Sequence, residues 1–124
     1  MTLLIYSTET DDAEQRLRRV IELLLPEKKL KFYRSINDLS CELRQPVFKQ
    51  RIVIIMTSSR DELEDILSIR QLLEDTKIIL IAPDANANTL ARGHTLRPRF
   101  LSTCNSDFVD IAAVLAKMIR NLGR

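Results

Sequence analysis

The chain has 124 residues, of which 45% are hydrophobic and 29% charged, enough for one domain, 1–124, with a real core. Its 19 Lys and Arg are dispersed and nearly balanced by 17 Asp and Glu, for a net charge of +2, which argues against nucleic-acid and membrane-surface partners. Two distant cysteines exclude a disulfide scaffold, and two glycines leave no Gly-rich phosphate loop.

Leu3-Leu4-Ile5-Tyr6 is a short apolar run and reads as a first strand. Ser7-Thr8-Glu9-Thr10-Asp11-Asp12 follows as a polar turn, ending in N-capping residue types and in acids suited to a helix N-terminus. The first helix places Ala13, Leu17, Val20, Ile21 and Leu24 on one apolar stripe, puts Arg16, Arg18 and Arg19 mostly off it toward water, and stops at Pro26. Lys29 to Ile36 reads as a second strand, with Leu30 and Phe32 on one face, Lys31 and Tyr33 on the other, and charges typical of a sheet edge. Ser35 or Asn37 caps a short second helix through Leu39 and Leu43, which ends before Pro46.

The strongest signal lies at Arg51 to Ser59. Five apolar residues, Ile52 to Met56, run unbroken, as in a strand buried on both faces of a parallel sheet. Thr57, Ser58 and Ser59 follow, and Ser59 with Glu62 forms a capping box for a helix from Arg60 to about Asp75, with Leu63, Ile66, Leu67, Leu72 and Leu73 inward. Lys77 to Ala82 is a fourth strand, ended by Pro83 and Asp84. Ala85 to Leu96 is a helix weakened by Asn86, Asn88, Thr89 and Gly93, and is expected to be the loosest. Arg99 to Ser102 is a short fifth strand. Ser106-Asp107 opens a last helix to Leu122, with Gly123 as its C-cap.

Strands alternating with helices imply an α/β doubly wound parallel sheet with helices on both faces. Strands one, three and four are apolar throughout, whereas two and five are short or guarded. The order 2-1-3-4-5, a flavodoxin-like (βα)5 sandwich, buries the first three and leaves the others at the edges. Ligands of such sheets bind outside the carboxyl ends of the strands, where the order reverses. That mouth holds Ser7, Thr8, Glu9, Met56, Thr57 and Ser58, with Ala82, Pro83 and Asp84 from strand four and Thr103, Cys104 and Asn105 from strand five.

In this pattern the whole chain resembles the receiver domains of two-component response regulators. The resemblance implies a bacterial signalling domain with an acid pair after strand one, a phosphorylated Asp ending strand three, a Ser or Thr ending strand four and a Lys ending strand five. Here the acid pair falls on Ser7 and Thr8, the Asp on Met56 beside Thr57, the Ser/Thr on Ile81 and the Lys on Thr103. Receiving a phosphoryl group and holding Mg²⁺ both need a carboxylate, which methionine lacks. The resemblance therefore implies a degenerate pseudo-receiver with no catalytic residue, metal or cofactor, acting through protein–protein contact. The alternative is a small flavodoxin-like enzyme or ligand-binding protein using the hydroxyl-rich mouth.

Other residues are read more simply. Asp11 and Asp12 serve the helix dipole. Ser7-Thr8-Glu9-Thr10 faintly resembles a flavodoxin phosphate loop, but it lacks glycine, and its acids would repel a phosphate. Cys104 is a small semi-buried residue at the mouth, Cys41 fills a helix, and His94 is a surface or helix-end residue. Arg92, Arg97 and Arg99 form a basic cluster. The last helix carries a core stripe of Phe108, Ile111, Ala112, Leu115, Met118, Ile119 and Leu122, and has further apolar residues in Val109, Ala113, Val114 and Ala116. A protein partner or homodimer is expected on the face of the fourth helix, fifth strand and fifth helix, through Arg92, Arg97, Arg99, Asp107, Asp110 and Val114. With no apolar run near the roughly 18 residues of a membrane span and no signal peptide, a cytoplasmic location with no membrane contact is expected.

Overall fold

Alternation of unbroken apolar strands with amphipathic helices leaves one economical arrangement, a sheet covered on both faces. The computed structural model shows it, describing residues 3–9, 11–46 and 51–122 apart from the side chains of Glu27 and Leu122. Thr10, the Leu122 side chain and the Gly123 cap lie outside the described residues. The strands are β1 (Leu3–Tyr6), β2 (Leu30–Tyr33), β3 (Arg51–Met56), β4 (Thr76–Ala82) and β5 (Phe100–Thr103). The helices are α1 (Asp12–Glu22), α2 (Ile36–Leu43), α3 (Arg60–Ser68), α4 (Ala87–His94) and α5 (Val109–Leu122). All strand pairs are parallel, in the order β2-β1-β3-β4-β5. This is the expected flavodoxin-like order, with β3 central.

Side-chain alternation along the strands divides the core in two. Leu3, Ile5, Ile52, Ile54, Met56, Ile79 and Ile81 pack with Leu17 and Ile21 of α1 and with Phe108, Ile111, Leu115 and Met118 at α5. Leu4, Tyr6, Val53, Ile55, Ile78 and Leu80 face Leu39, Leu43, Leu63, Ile66 and Leu67 of α2 and α3. Ile52 through Ile55 are all fully buried, so β3 is shared by both halves. Among the described residues no helix is long and apolar enough to cross a membrane.

Several element ends differ from the sequence reading. Helix α1 closes at Glu22 rather than Pro26, because Pro26 disfavours helical geometry just before it; the Leu24 and Leu25 amides both turn back to the Ile21 carbonyl. Strand β2 spans only Leu30–Tyr33, since Lys29 ends a short 3-10 turn and Ser35 accepts the Asp38 N–H at 3.1 Å to start α2. Helix α3 stops at Ser68 and passes into a 3-10 turn, Arg70–Leu73, in which Leu73 is buried and Leu72 half-buried. Strand β5 lies one residue later than expected, and α5 starts at Val109 rather than at Ser106-Asp107.

Helix α4 is shorter than expected, capped by Asn86, and lies close on the sheet. A Cβ added at Gly93 would stand 2.9 Å from Leu80 Cδ2 and 3.5 Å from Leu101 Cδ1. A side chain at this position would have to displace the Leu80 methyl, so glycine eases the close approach of α4 while weakening the helix.

Ile54→Asp should abolish cooperative folding. An unpaired carboxylate in a site closed on both faces costs several kcal/mol, against a total stability of about 5–15 kcal/mol. A soluble variant that melts as sharply as the wild type would show that β3 is not the centre of the core.

Candidate functional site

The mouth follows from the strand ends. In the β1–β3 pair Tyr6 stands beside Ile55, so Ser7 and Met56 emerge together at the carboxyl edge. Ser7 is buried, donates its hydroxyl to the Glu9 carbonyl at 3.0 Å and lies 3.9 Å from Met56 Sδ. Met56 is itself only 4% exposed and belongs to the α1/α5 half of the core. Thr57 is fully buried, and its amide and hydroxyl both donate to the Ile81 carbonyl, at 3.0 and 2.8 Å. Ile81 points into the core, and Thr103 pairs with Ala82 at the end of β5. Ser7 thus meets Met56 and Thr57 meets Ile81, in contacts that use their polar atoms internally.

The outer layer is acidic. Ser59 accepts the Glu62 N–H at 3.2 Å, half of the expected capping box. The Glu62 carboxylate takes the Ser58 N–H at 2.7 Å, one residue beyond the usual return bond, and accepts the hydroxyls of Thr8 and Ser58. The Ser58 hydroxyl also lies 3.4 Å from Glu9 Oε1. The exposed hydroxyls are therefore aimed at carboxylates, a poor setting for a phosphate. Asp11 accepts the Glu14 N–H at 3.0 Å as the α1 cap, and Asp12 opens the helix, the dipole role expected of them. Asp84 is held below the usual carboxylate range by the Asn86 N–H and by Arg60, 3.4 Å away. Among the described residues no three His, Cys, Asp or Glu side chains gather so as to hold a metal ion.

Cys104 follows β5, is half-buried and points its thiol at the Thr57 carbonyl, 3.2 Å away. Burial pushes this thiol up, with Asp11, Glu62 and Glu9 adding to the shift and Arg16 opposing it. A thiol so placed is a weak nucleophile.

Two arginines expected to face water are half-buried. Arg16 donates to the Cys104 carbonyl at 2.7 Å and lies 5.5 Å from the Phe108 ring centroid. Arg18 lies 4.1 Å from the Phe32 centroid. Their aliphatic stems and planar heads cover aromatic surface while keeping polar contact. Arg34 joins Arg18 around Phe32, donates to the Ser7 carbonyl at 3.1 Å and pairs with Glu14, a buried carboxylate on α1. Glu14 reads in sequence as a first-turn acid, although its spacing of three and seven residues from Leu17 and Ile21 places it on the buried stripe of α1.

The expected docking residues are spread along β5. Arg92 is not a free cation: it forks onto Glu64 of α3 at 2.8 and 2.7 Å, lowering the Glu64 pKa through that hydrogen bond. Arg97 and Arg99 are exposed before β5, Arg97 at φ 55°. Asp107 and Asp110 are exposed after it, Asp107 accepting the Val109 N–H at 3.0 Å, while Val114 is half-buried against the core. His94 ends α4 at the surface, as expected, and exposed Cys41 lines a shallow depression of about 410 Å³ with Phe32, Tyr33, Asp38, Glu42 and Gln45. No family model matches the chain, and no curated protein matches it at a significant level.

Iodoacetamide near pH 8 should modify exposed Cys41 first and Cys104 at least about tenfold more slowly. Folding favours the protonated Cys104 thiol, so its contribution to stability is complete below the unfolded thiol value, about 8.5, and is lost as pH rises through the higher folded value. Cys104→Ser should flatten the alkaline fall in melting temperature. Equal alkylation rates would contradict the burial of Cys104.

Proposed function

We propose that the domain is a non-catalytic pseudo-receiver that acts in cytoplasmic signal transduction or regulation by binding a protein partner or a second copy of itself. The reading rests on Met56. The end of the central strand is where a receiver carries its phosphorylated Asp, and here it carries a thioether packed against Ser7 and the α1/α5 core. A thioether neither receives a phosphoryl group nor binds a hard cation. The surrounding acids, Glu9 and Glu62, further disfavour phosphate at the mouth.

Support for the docking face comes from the exposed ends of β5. Arg97 and Arg99 lie before the strand and Asp107 and Asp110 after it, with exposed Val109 and half-buried Val114 on the adjoining helix. Opposite charges at opposite ends of an edge strand suit a partner presenting the reverse pattern, and a two-fold copy presents it.

Incubated with Mg²⁺ and acetyl phosphate, neither the wild type nor Met56→Asp should gain phosphoryl mass, because Ser7 and Thr8 offer no carboxylate for the metal and Thr103 no ammonium group. Wild-type labelling overturns the reading. Labelling of Met56→Asp alone would show that Glu9, Asp11 or Asp12 serves the mouth as a metal ligand. Sedimentation across concentration and salt provides the second check. Association weakened by Arg97→Glu or Val114→Asp supports a self-docking face, and association insensitive to both places self-docking elsewhere.

A further inference from the structure

Among the described residues Phe108 is the largest fully buried side chain, yet its φ is 66°. Bulky L residues rarely take this left-handed conformation, which is strained and persists only where the surroundings enforce it. The Ser106 hydroxyl accepts the Phe108 N–H at 3.0 Å, and Asp107 Oδ1 accepts the Val109 N–H at 3.0 Å. Arg16 covers the ring and ties the preceding loop to α1 through the Cys104 carbonyl. The next residue, Val109, is 61% exposed, and is one of only two strongly exposed large hydrophobics among the described residues.

A strained buried aromatic beside an unburied aliphatic is a local conflict with an evident second solution. We propose that the β5–α5 junction is a two-state element in which Phe108 and Val109 exchange the buried site. In the second state Phe108 takes a negative φ, its ring leaves the core and Val109 turns in. Relief of strain favours this state, whereas the smaller apolar area of valine and the loss of the Arg16 contact oppose it. The opposing terms leave the second state as a minor population, on the order of one percent. It presents an aromatic ring between Asp107 and Asp110. A partner at that face then selects between the states, a consequence that rests on the docking function proposed above.

The test is amide and methyl relaxation dispersion on the isolated protein, which needs no partner and so is independent of the docking reading. Wild type should show exchange confined to about residues 105–110, on the microsecond-to-millisecond scale. Val109→Phe offers an equal ring to the same site and should raise the minor population at least about tenfold. Arg16→Ala removes a charge-assisted bond and should raise it by about the same factor, whereas Arg19→Ala, exposed on the same helix, should leave it unchanged. Melting curves confirm that each variant is folded. Exchange absent from both wild type and Val109→Phe, or present but unmoved by Val109→Phe and Arg16→Ala, overturns the proposal.

Discussion

Everything in this domain depends on a strand that has no solvent face. Ile52 to Ile55 are fully buried, and their alternating side chains feed both halves of the core. A strand in that position demands helices on both sides and parallel neighbours, so the βα alternation and the order of the sheet follow from its burial. Its neighbours β1 and β4 bring the buried apolar runs Leu3–Tyr6 and Ile78–Ala82, and the charged or short segments are left to the edges as β2 and β5. Gly93 marks the same pressure from outside, since a Cβ there would stand 2.9 Å from the Leu80 Cδ2 methyl and force it to shift.

The same burial shapes the mouth. Met56 continues the α1/α5 face of β3 and therefore belongs to the core, and Thr57 spends both its donors on Ile81. At the exposed rim of the mouth the hydroxyls of Thr8 and Ser58 turn onto Glu62 and Glu9, with a cation, Arg16, committed to the Cys104 carbonyl and the Phe108 ring. The polar groups at the carboxyl ends of the strands thus hold loops together. Chemistry that needs a free carboxylate, ammonium group or thiolate finds none at the four receiver positions, and this moves attention to the surface around β5.

Strand order, the central strand, the Asp11 and Ser59 caps, Ser35 as one of two cap candidates and the core stripe of α5 were legible because each rests on local periodicity or on a single capping bond, whereas Asn86, read as a weak residue inside the fourth helix, turns out to cap it. Helix ends were less so: Pro26 acts on the residues before it, and the Arg70–Leu73 turn keeps the hydrophobic spacing of a helix while changing its hydrogen bonds. Long-range polar contacts were not legible at all. Glu14 and Arg34 lie 20 residues apart and meet across the β1–β2 edge, and Arg92 reaches Glu64 over 28 residues. Arg16 and Arg18 sit off the apolar stripe by helical spacing, and only the positions of Phe108 and Phe32 turn them inward. The left-handed Phe108 could not be anticipated, because nothing about a phenylalanine before a helix announces a positive φ.

The central claim is that contacts are made at the β5 edge and that the mouth is structural. The most direct measurement is affinity cross-linking in native-host extract with three folded baits: wild type, the face variant Arg97→Glu/Val114→Asp, and the mouth variant Thr8→Ala/Ser58→Ala. The account predicts a species cross-linked through residues 97–114 that wild type and the mouth variant share and the face variant loses. Loss with the mouth variant and retention with the face variant would contradict it and place function at the carboxyl ends of β1 and β3.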